Sequence, residues 1–264
     1  MDLQLKGKRA VVSGSTAGIG YAIATALARE GATVVVNGRT RARVDEAVRQ
    51  IRANHTGATV EGVACDLGTR SGADRLFEAV PEADILVNNL GIFEPKAFAD
   101  ITDEDWLRFF EVNVLSGVRL SRHYLPGMVV RKWGRVVFIS SESAVQIPAE
   151  MIHYGTTKTA QVALARGLAE SVAGTGVTVN SVLPGPTASE GVATFVAEMG
   201  RTRGVDAATV EREFFQTVRP SSLIKRFATP DEVAAMVTYV CSGLASATTG
   251  ASLRVDGGVI RAIL

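Results

Sequence analysis

The feature that most constrains this chain is a succession of short apolar runs: Arg9 to Val12, Thr33 to Val36, Thr59 to Ala64, Ile85 to Val87, Arg135 to Ile139, Val177 to Val182 and Ala251 to Val255. The runs are continuous rather than alternating, which suits strands covered on both faces, and the spacers between them are long enough for crossover helices. Gly20 to Arg29 is rich in alanine and leucine and ends at Gly31, a residue free to take the left-handed conformation past a helix end. Arg41 to Arg52, Arg70 to Ala79, Asp103 to Arg131, Tyr154 to Ala173 and Pro230 to Cys241 are the other expected helices. The pattern predicts one α/β domain over residues 1–264, a doubly wound sheet of about seven parallel strands flanked by helices. Pro184 to Ala228 has weak periodicity and is expected to be a functional loop or lid, about 185–228.

With 47% hydrophobic residues the chain can bury a large core, while 28 basic and 27 acidic residues nearly cancel and form no basic block. Nucleic-acid and membrane-surface partners are therefore not expected. Cys65 and Cys241 lie far apart with no metal spacing, His55, His123 and His153 are scattered, and no metal site is expected. The N-terminus has neither a secretory apolar region nor a spanning one, and a cytoplasmic protein is expected.

Immediately after the first strand comes Gly14-Ser15-Thr16-Ala17-Gly18-Ile19-Gly20, leading into the alanine-rich helix. Glycine permits the tight turn, lets the backbone approach a pyrophosphate and allows close packing of helix on strand, while the helix N-terminus presents N–H donors to an anion. Such a turn can also be a plain strand-to-helix connection; its place after the first strand of a doubly wound sheet favours a Rossmann-type dinucleotide site. The second strand runs into Asn37-Gly38-Arg39, where the adenosine ribose would lie. No acidic residue is there to take the ribose hydroxyls, and a guanidinium suits a 2′-phosphate, so NADP(H) is favoured and NAD(H) remains possible. A solvated arginine at a helix start is the alternative for Arg39, and Ala17 in the turn brings no second cation. Asp66, after the third strand, either accepts from the adenine amino group, caps the helix beginning near Thr69, or does both.

Tyr154 and Lys158 stand at i and i+4 at the head of a predicted helix, so they share one face. A phenol is a poor base at neutral pH unless a nearby ammonium stabilises the phenolate, which Lys158 would do. Ser141 follows the fifth strand, at the strand end where ligands bind in open α/β sheets, and is placed to hydrogen-bond a substrate oxygen. Each residue alone has a plainer reading, as packed ring, solvated cation or loop serine.

Together these motifs give a chain that resembles the short-chain dehydrogenase/reductase family over essentially its whole length. The family's glycine turn is matched by Gly14, Gly18 and Gly20, its NNAG segment by Asn88, Asn89, Leu90 and Gly91, and its helix asparagine by Asn113. Its serine is matched by Ser141, its YxxxK by Tyr154 and Lys158, and its PG segment by Pro184 and Gly185. Ser13 and Leu90 depart from the usual Thr and Ala.

The resemblance implies a hydride-transferring oxidoreductase acting on a carbonyl or alcohol substrate. Tyr154 would move the proton, Ser141 would orient the substrate, and Asn113 would hold a water in a proton relay to Lys158. The coenzyme would meet Gly14, Ser15, Gly18, Ile19 and Gly20 at the turn, and Asn37, Arg39, Asp66 and Leu67 around the adenosine. Asn89, Gly91, Tyr154, Lys158, Pro184, Gly185, Thr187 and Ser189 would line its nicotinamide half. Substrate choice would fall to the segment after Pro184 and to residues near Phe93, Gln146 and Ile147, with a 3-oxoacyl thioester as the expected class. Glu150, Glu190 and Arg201 are either polar substrate contacts or solvated charges, and His153 is close enough in sequence to Tyr154 to line the site. Relatives of this kind assemble as homotetramers or homodimers through the long helices and last strand, and the apolar tail Val259 to Leu264 suits a buried C-terminus. Two rival readings are a dinucleotide-binding sensor or scaffold that has lost turnover, and a sugar-nucleotide epimerase or dehydratase, which would need a longer C-terminal region.

Overall fold

The computed structural model describes residues 1–263, the side chain of Phe195 apart. Strands β1 (Arg9–Val12), β2 (Thr33–Gly38), β3 (Val60–Ala64), β4 (Ile85–Asn88), β5 (Gly134–Ile139), β6 (Val177–Pro184) and β7 (Ser252–Val255) form one sheet. Every pairing is parallel, in the order β3-β2-β1-β4-β5-β6-β7.

The apolar runs are continuous because successive residues serve different cores. Val12, Val34 and Val36 point to one face, where they meet α1 (Gly18–Arg29), α2 (Arg41–Asn54) and α9 (Pro230–Val240) through Ile23, Leu27, Ile51 and Val237. Val11, Val35 and Leu86 point to the other, against Leu76 of α3 (Arg70–Ala79), Leu120 and Met128 of α5 (Ser116–Val130) and Ala165 of α6 (Ile152–Ser171). Burying each such Val or Leu is worth about 1.5–3 kcal/mol, so a polar residue on either face would be costly. Strand order reverses between β1 and β4, which sends crossovers to opposite faces and opens a crevice at the carboxyl ends of these strands.

The long helix expected over Asp103 to Arg131 is α4 (Asp103–Phe110), a widened π turn (Glu111–Leu115) and α5 in succession. Thr102 and Asp105 close its start with a reciprocal capping box. The expected loop after Pro184 is largely helical instead: α7 (Glu190–Arg203), α8 (Ala207–Glu213) and a second π turn (Phe214–Val218). These helices are set by their ends, Gly204 at φ 67° closing α7 and the Asp206 carboxylate accepting from Thr209 N at the head of α8. Most described side chains of α7 are exposed or half-buried, so its sequence carries no strong apolar stripe. The tail is buried only at Val259 and Ile260; Ile263 is exposed, and Leu264 lies outside the described residues. Among the described residues no helix is long and apolar enough to cross a membrane.

Candidate active site

Gly14 and Gly18 both sit at positive φ, 60° and 55°, which allows the chain to turn sharply from β1 into α1. Gly20 is needed for a different reason: a Cβ there would lie 2.4 Å from both Asn89 Nδ2 and the Gly14 carbonyl oxygen. Asn89 Nδ2 donates to the carbonyls of Ser13 and Gly14 (3.0 Å each), and Ser13 Oγ accepts from the N–H groups of Asn89 and Leu90. The serine in place of threonine thus ties the ends of β1 and β4 together. Ser15 Oγ donates to the Val12 carbonyl and accepts from Asn37 N, so its hydroxyl also braces the turn. Thr69, Thr102, Asp206 and Thr229 cap other helices, whereas α1 begins at Ala17 with no side-chain cap and no acid in its first turn. Its first N–H donors are therefore taken by no side-chain cap, an arrangement suited to a phosphate.

Three of the residues expected around the coenzyme turn their side chains elsewhere. Asn37 is buried, its Oδ1 accepting from Gly14 N and its Nδ2 donating to the carbonyls of Val63 and Cys65. Ile19 packs against the first core face and Leu67 is fully buried in the second. Any contact Asn37 and Leu67 make with a ligand falls to their backbone, while Ile19 is half-buried.

Arg39 is exposed at the carboxyl end of β2. Nearby, a surface cavity of about 560 Å³ is lined by Thr16, Ala17, Tyr21, Arg43 and Glu190 among others. Arg43 Nη2 bonds Glu190 Oε2 at 2.7 Å across this cavity, joining α2 to α7. Glu190 is therefore a paired charge, and Arg43 is a second cation that the sequence signalled only through the alternating arginines 39, 41 and 43. Asp66 is exposed at the end of β3 and accepts from Gly68 N; the cap of α3 is Thr69, which accepts from Gly72 N.

Asn113 lies in the first π turn with no exposed surface. Its Oδ1 accepts from Ile92 N at 2.7 Å, and its Nδ2 donates to the Ile92 carbonyl and to Thr157 Oγ1, clamping the loop after β4 onto α6. Its main-chain carbonyl accepts from Gln161 Nε2. Gly91 fits beneath this clamp, where a Cβ would lie 3.3 Å from Lys158 Nζ and 3.5 Å from Asn113 Oδ1.

Tyr154 and Lys158 occupy the first turns of α6, with Nζ 5.6 Å from the phenol ring centroid. Lys158 is buried and donates to the Ile139 carbonyl (3.0 Å) and Gln161 Oε1 (3.1 Å). Burial pushes its pKa down to about 8. Burial also raises the Tyr154 phenol well above its ordinary range, with the Ser141 hydroxyl and Arg219 pulling it down and Glu142 pushing it up. Two of the ammonium's donors are thus committed to Ile139 and Gln161 while Nζ stays over the face of the phenol ring.

Ser141 is buried at the end of β5, its Oγ bonding the Glu142 carboxylate and accepting from Ser143 N. Glu142 Oε1 in turn accepts from Arg219 Nε (3.1 Å), while Arg219 Nη1 reaches Glu150 Oε1 (3.1 Å). Sequence reasoning missed Glu142, Arg219 and Gln161, because their partners are distant in the chain. Glu150, left open as a substrate contact, is a partner of this arginine. His153 does not line the cleft; it packs fully buried against Phe109 and Trp106. One residue along a helix is about 100° around its axis, so the neighbour of Tyr154 faces another way.

On the far side, Gly185 is pressed against the β7 end, where a Cβ would lie 2.5 Å from the Asp256 carbonyl oxygen. Thr187 bridges to Ala228, and Ser189 opens α7 beside the glycine turn, its Cβ 3.4 Å from where a Gly18 Cβ would be. Phe93 meets Tyr154 edge-on at 6.4 Å, and Phe93, Val145, Gln146 and Ile147 are exposed at the mouth. Arg201 stands exposed at the end of α7. The glycine turn after β1, the Ser141, Tyr154 and Lys158 group at β5 and α6, and Ser189 at the start of α7 thus lie at the carboxyl ends of the strands.

A family profile described as enoyl-(acyl carrier protein) reductase matches residues 14–260. The chain belongs to the short-chain dehydrogenase/reductase family. Two relatives and one solved structure illustrate the likeness. The uncharacterized oxidoreductase YvaG of Bacillus subtilis is 49% identical over 100% of both chains. The 3-oxoacyl-[acyl-carrier-protein] reductase of Aquifex aeolicus is 34% identical over 98% of this chain and 100% of its own. The crystal structure of L-sorbose reductase from Gluconobacter frateurii, complexed with NADPH and L-sorbose, superposes with a TM-score of 0.92 at 34% identity over 100% of both chains. As a short-chain dehydrogenase/reductase, the protein is an NAD(P)-dependent oxidoreductase acting on CH–OH and C=O groups, and the non-catalytic scaffold finds no support.

Proposed function

We propose that Tyr154 is the proton donor and acceptor of this oxidoreductase, with Ser141 orienting the substrate oxygen and Lys158 setting the charge around the phenol. The observation that carries the reading is the approach of Ser141, Tyr154 and Lys158 at the strand ends that border the glycine cradle. When bound, the nicotinamide supplies or takes the hydride. Tyr154 and Ser141 hydrogen-bond the substrate carbonyl, and charge developing on its oxygen is met by both hydroxyls in a setting largely shielded from water. The phenol then gives up its proton; in alcohol oxidation it takes one back. Asn113 keeps the loop carrying Gly91 against α6, so that the ammonium and the cradle hold their spacing.

The cradle, the uncapped α1 and the crevice at the β1–β4 switch fit a dinucleotide. NADP(H) is the favoured form, on the exposed Arg39, the absence of an acid at the end of β2 and the NADPH of the L-sorbose reductase structure. The catalytic set is Asn113, Ser141, Tyr154 and Lys158. Residues 185–228 form the substrate cap of a single 1–264 domain, and the apolar mouth at Phe93, Val145 and Ile147 suits the acyl chain of a 3-oxoacyl thioester. L-sorbose in the similar structure favours a polyol ketone as second candidate. Exposed Leu107, Phe110, Leu115 and Val130 along α4 and α5 support a homotetramer or homodimer, and two free buried cysteines support a reducing, cytoplasmic setting.

The test compares NADPH and NADH oxidation over 3-oxoacyl thioesters, ketoses and simple ketones. Turnover of the thioesters with NADPH is expected to be fastest. Arg39→Ala should weaken NADPH far more than NADH, and equal effects on both would refute the 2′-phosphate role.

A further inference from the structure

The stripe of α6 that faces inward runs through Lys158, Gln161, Ala165 and Ala169, at the spacing of a helix face packed on a core. Gln161 is 1% exposed on that stripe, where an uncharged amide is unfavourable unless its polar atoms are matched. Both are: Nε2 donates to the Asn113 carbonyl, and Oε1 accepts from Lys158 Nζ at 3.1 Å. The carbonyl can only accept and the ammonium can only donate, so the amide has one allowed orientation. Gln161 thereby links the π turn that carries Asn113 directly to the ammonium.

We infer that Gln161 is the positioning residue of Lys158, an amide braced on the Asn113 carbonyl that holds the ammonium in register with the Tyr154 phenol. The inference rests on the proton-transfer reading above. Two of the three ammonium N–H bonds are committed, to the Ile139 carbonyl and to Gln161, which fixes the direction of the third. Titratable and charged groups around the pair are few: Tyr154 on the same helix and, acting on the phenol, Glu142 from the loop after β5 and Arg219 from the turn after α8. Removing the Gln161 acceptor makes the ammonium lose its proton at lower pH. Tyr154 then lacks the cation that favours its phenolate, and the rising limb of alcohol oxidation moves to higher pH.

Gln161→Met, close in length and volume, and Gln161→Leu are the variants to compare. The expected result is an upward move of about 1 pH unit in the rising limb of kcat/KM for alcohol oxidation, with about tenfold loss below the limb and recovery above it. A loss that is equal at every pH, or an unmoved profile in a folded variant, would overturn the inference. If both variants fail to fold, Gln161→Glu is expected to hold the ammonium to higher pH, and an unmoved Lys158 titration in that variant would overturn it equally. Full turnover by Tyr154→Phe would instead sink the underlying proton-transfer reading, so the two failures are distinguishable.

Discussion

Arg219→Met removes a guanidinium whose loss should be felt in both stability and chemistry. Arg219 and Glu142 have side chains only 11% and 6% exposed, and the variant leaves Glu142 Oε1 as a buried negative oxygen without its cation. Breaking a buried pair from one side costs about 3–5 kcal/mol, and the lower end applies because Ser141 and Ser143 still bond Glu142 Oε2. At roughly 2–4 °C per kcal/mol for a chain of this size, melting should fall by about 6–12 °C. The Ser141 hydroxyl and Arg219 lower the phenol pKa of Tyr154 and Glu142 raises it, so removal of the arginine leaves the upward push opposed by the Ser141 hydroxyl alone. Alcohol oxidation should therefore need higher pH, and calorimetry with a kcat/KM profile reads both effects. Adding Glu142→Gln should return more than half of the lost stability, because a neutral amide tolerates the site better than an unpaired carboxylate. A melting temperature within about 2 °C of the parent, together with an unchanged profile, would refute the reasoning.

Gly20→Ala would put a methyl 2.4 Å from Asn89 Nδ2 and the Gly14 carbonyl; forcing these apart should cost about 1–3 kcal/mol and weaken dinucleotide binding at least tenfold, read by fluorescence titration and melting. His153 is buried with both ring nitrogens unpartnered, and burial lowers its pKa. The unfolded chain takes the proton first, so His153 should cost the folded state stability as pH falls through its ordinary 6.5. Denaturant melts at pH 7 and pH 5 should show a smaller acid loss in His153→Leu than in the parent, and identical losses would contradict the sign.

The sheet was legible because both its faces are covered: Val11 and Val12 serve opposite cores, and a run of this kind has no common alternative in a chain with such long spacers. The glycine turn was legible for the same local reason, since strand, turn and helix follow in sequence. What failed was whatever depends on distant partners. Asn37 sits where a ribose contact was expected, yet Gly14, Val63 and Cys65 claim its amide. Glu142 meets an arginine 77 positions away, and Gln161 meets a carbonyl 48 positions away, separations that local periodicity cannot encode. The helices of the cap escaped notice because their faces are largely solvated and their caps, Gly204 and Asp206, are single residues.

The account stands or falls on Tyr154, and single-turnover hydride transfer from pre-bound NADPH tests it most directly. Tyr154→Phe should bind the coenzyme as the parent does while transferring hydride about 10²–10⁴-fold more slowly. Transfer by the phenylalanine variant within about twofold of the parent would contradict it, since general acid catalysis of this size cannot be lost unnoticed.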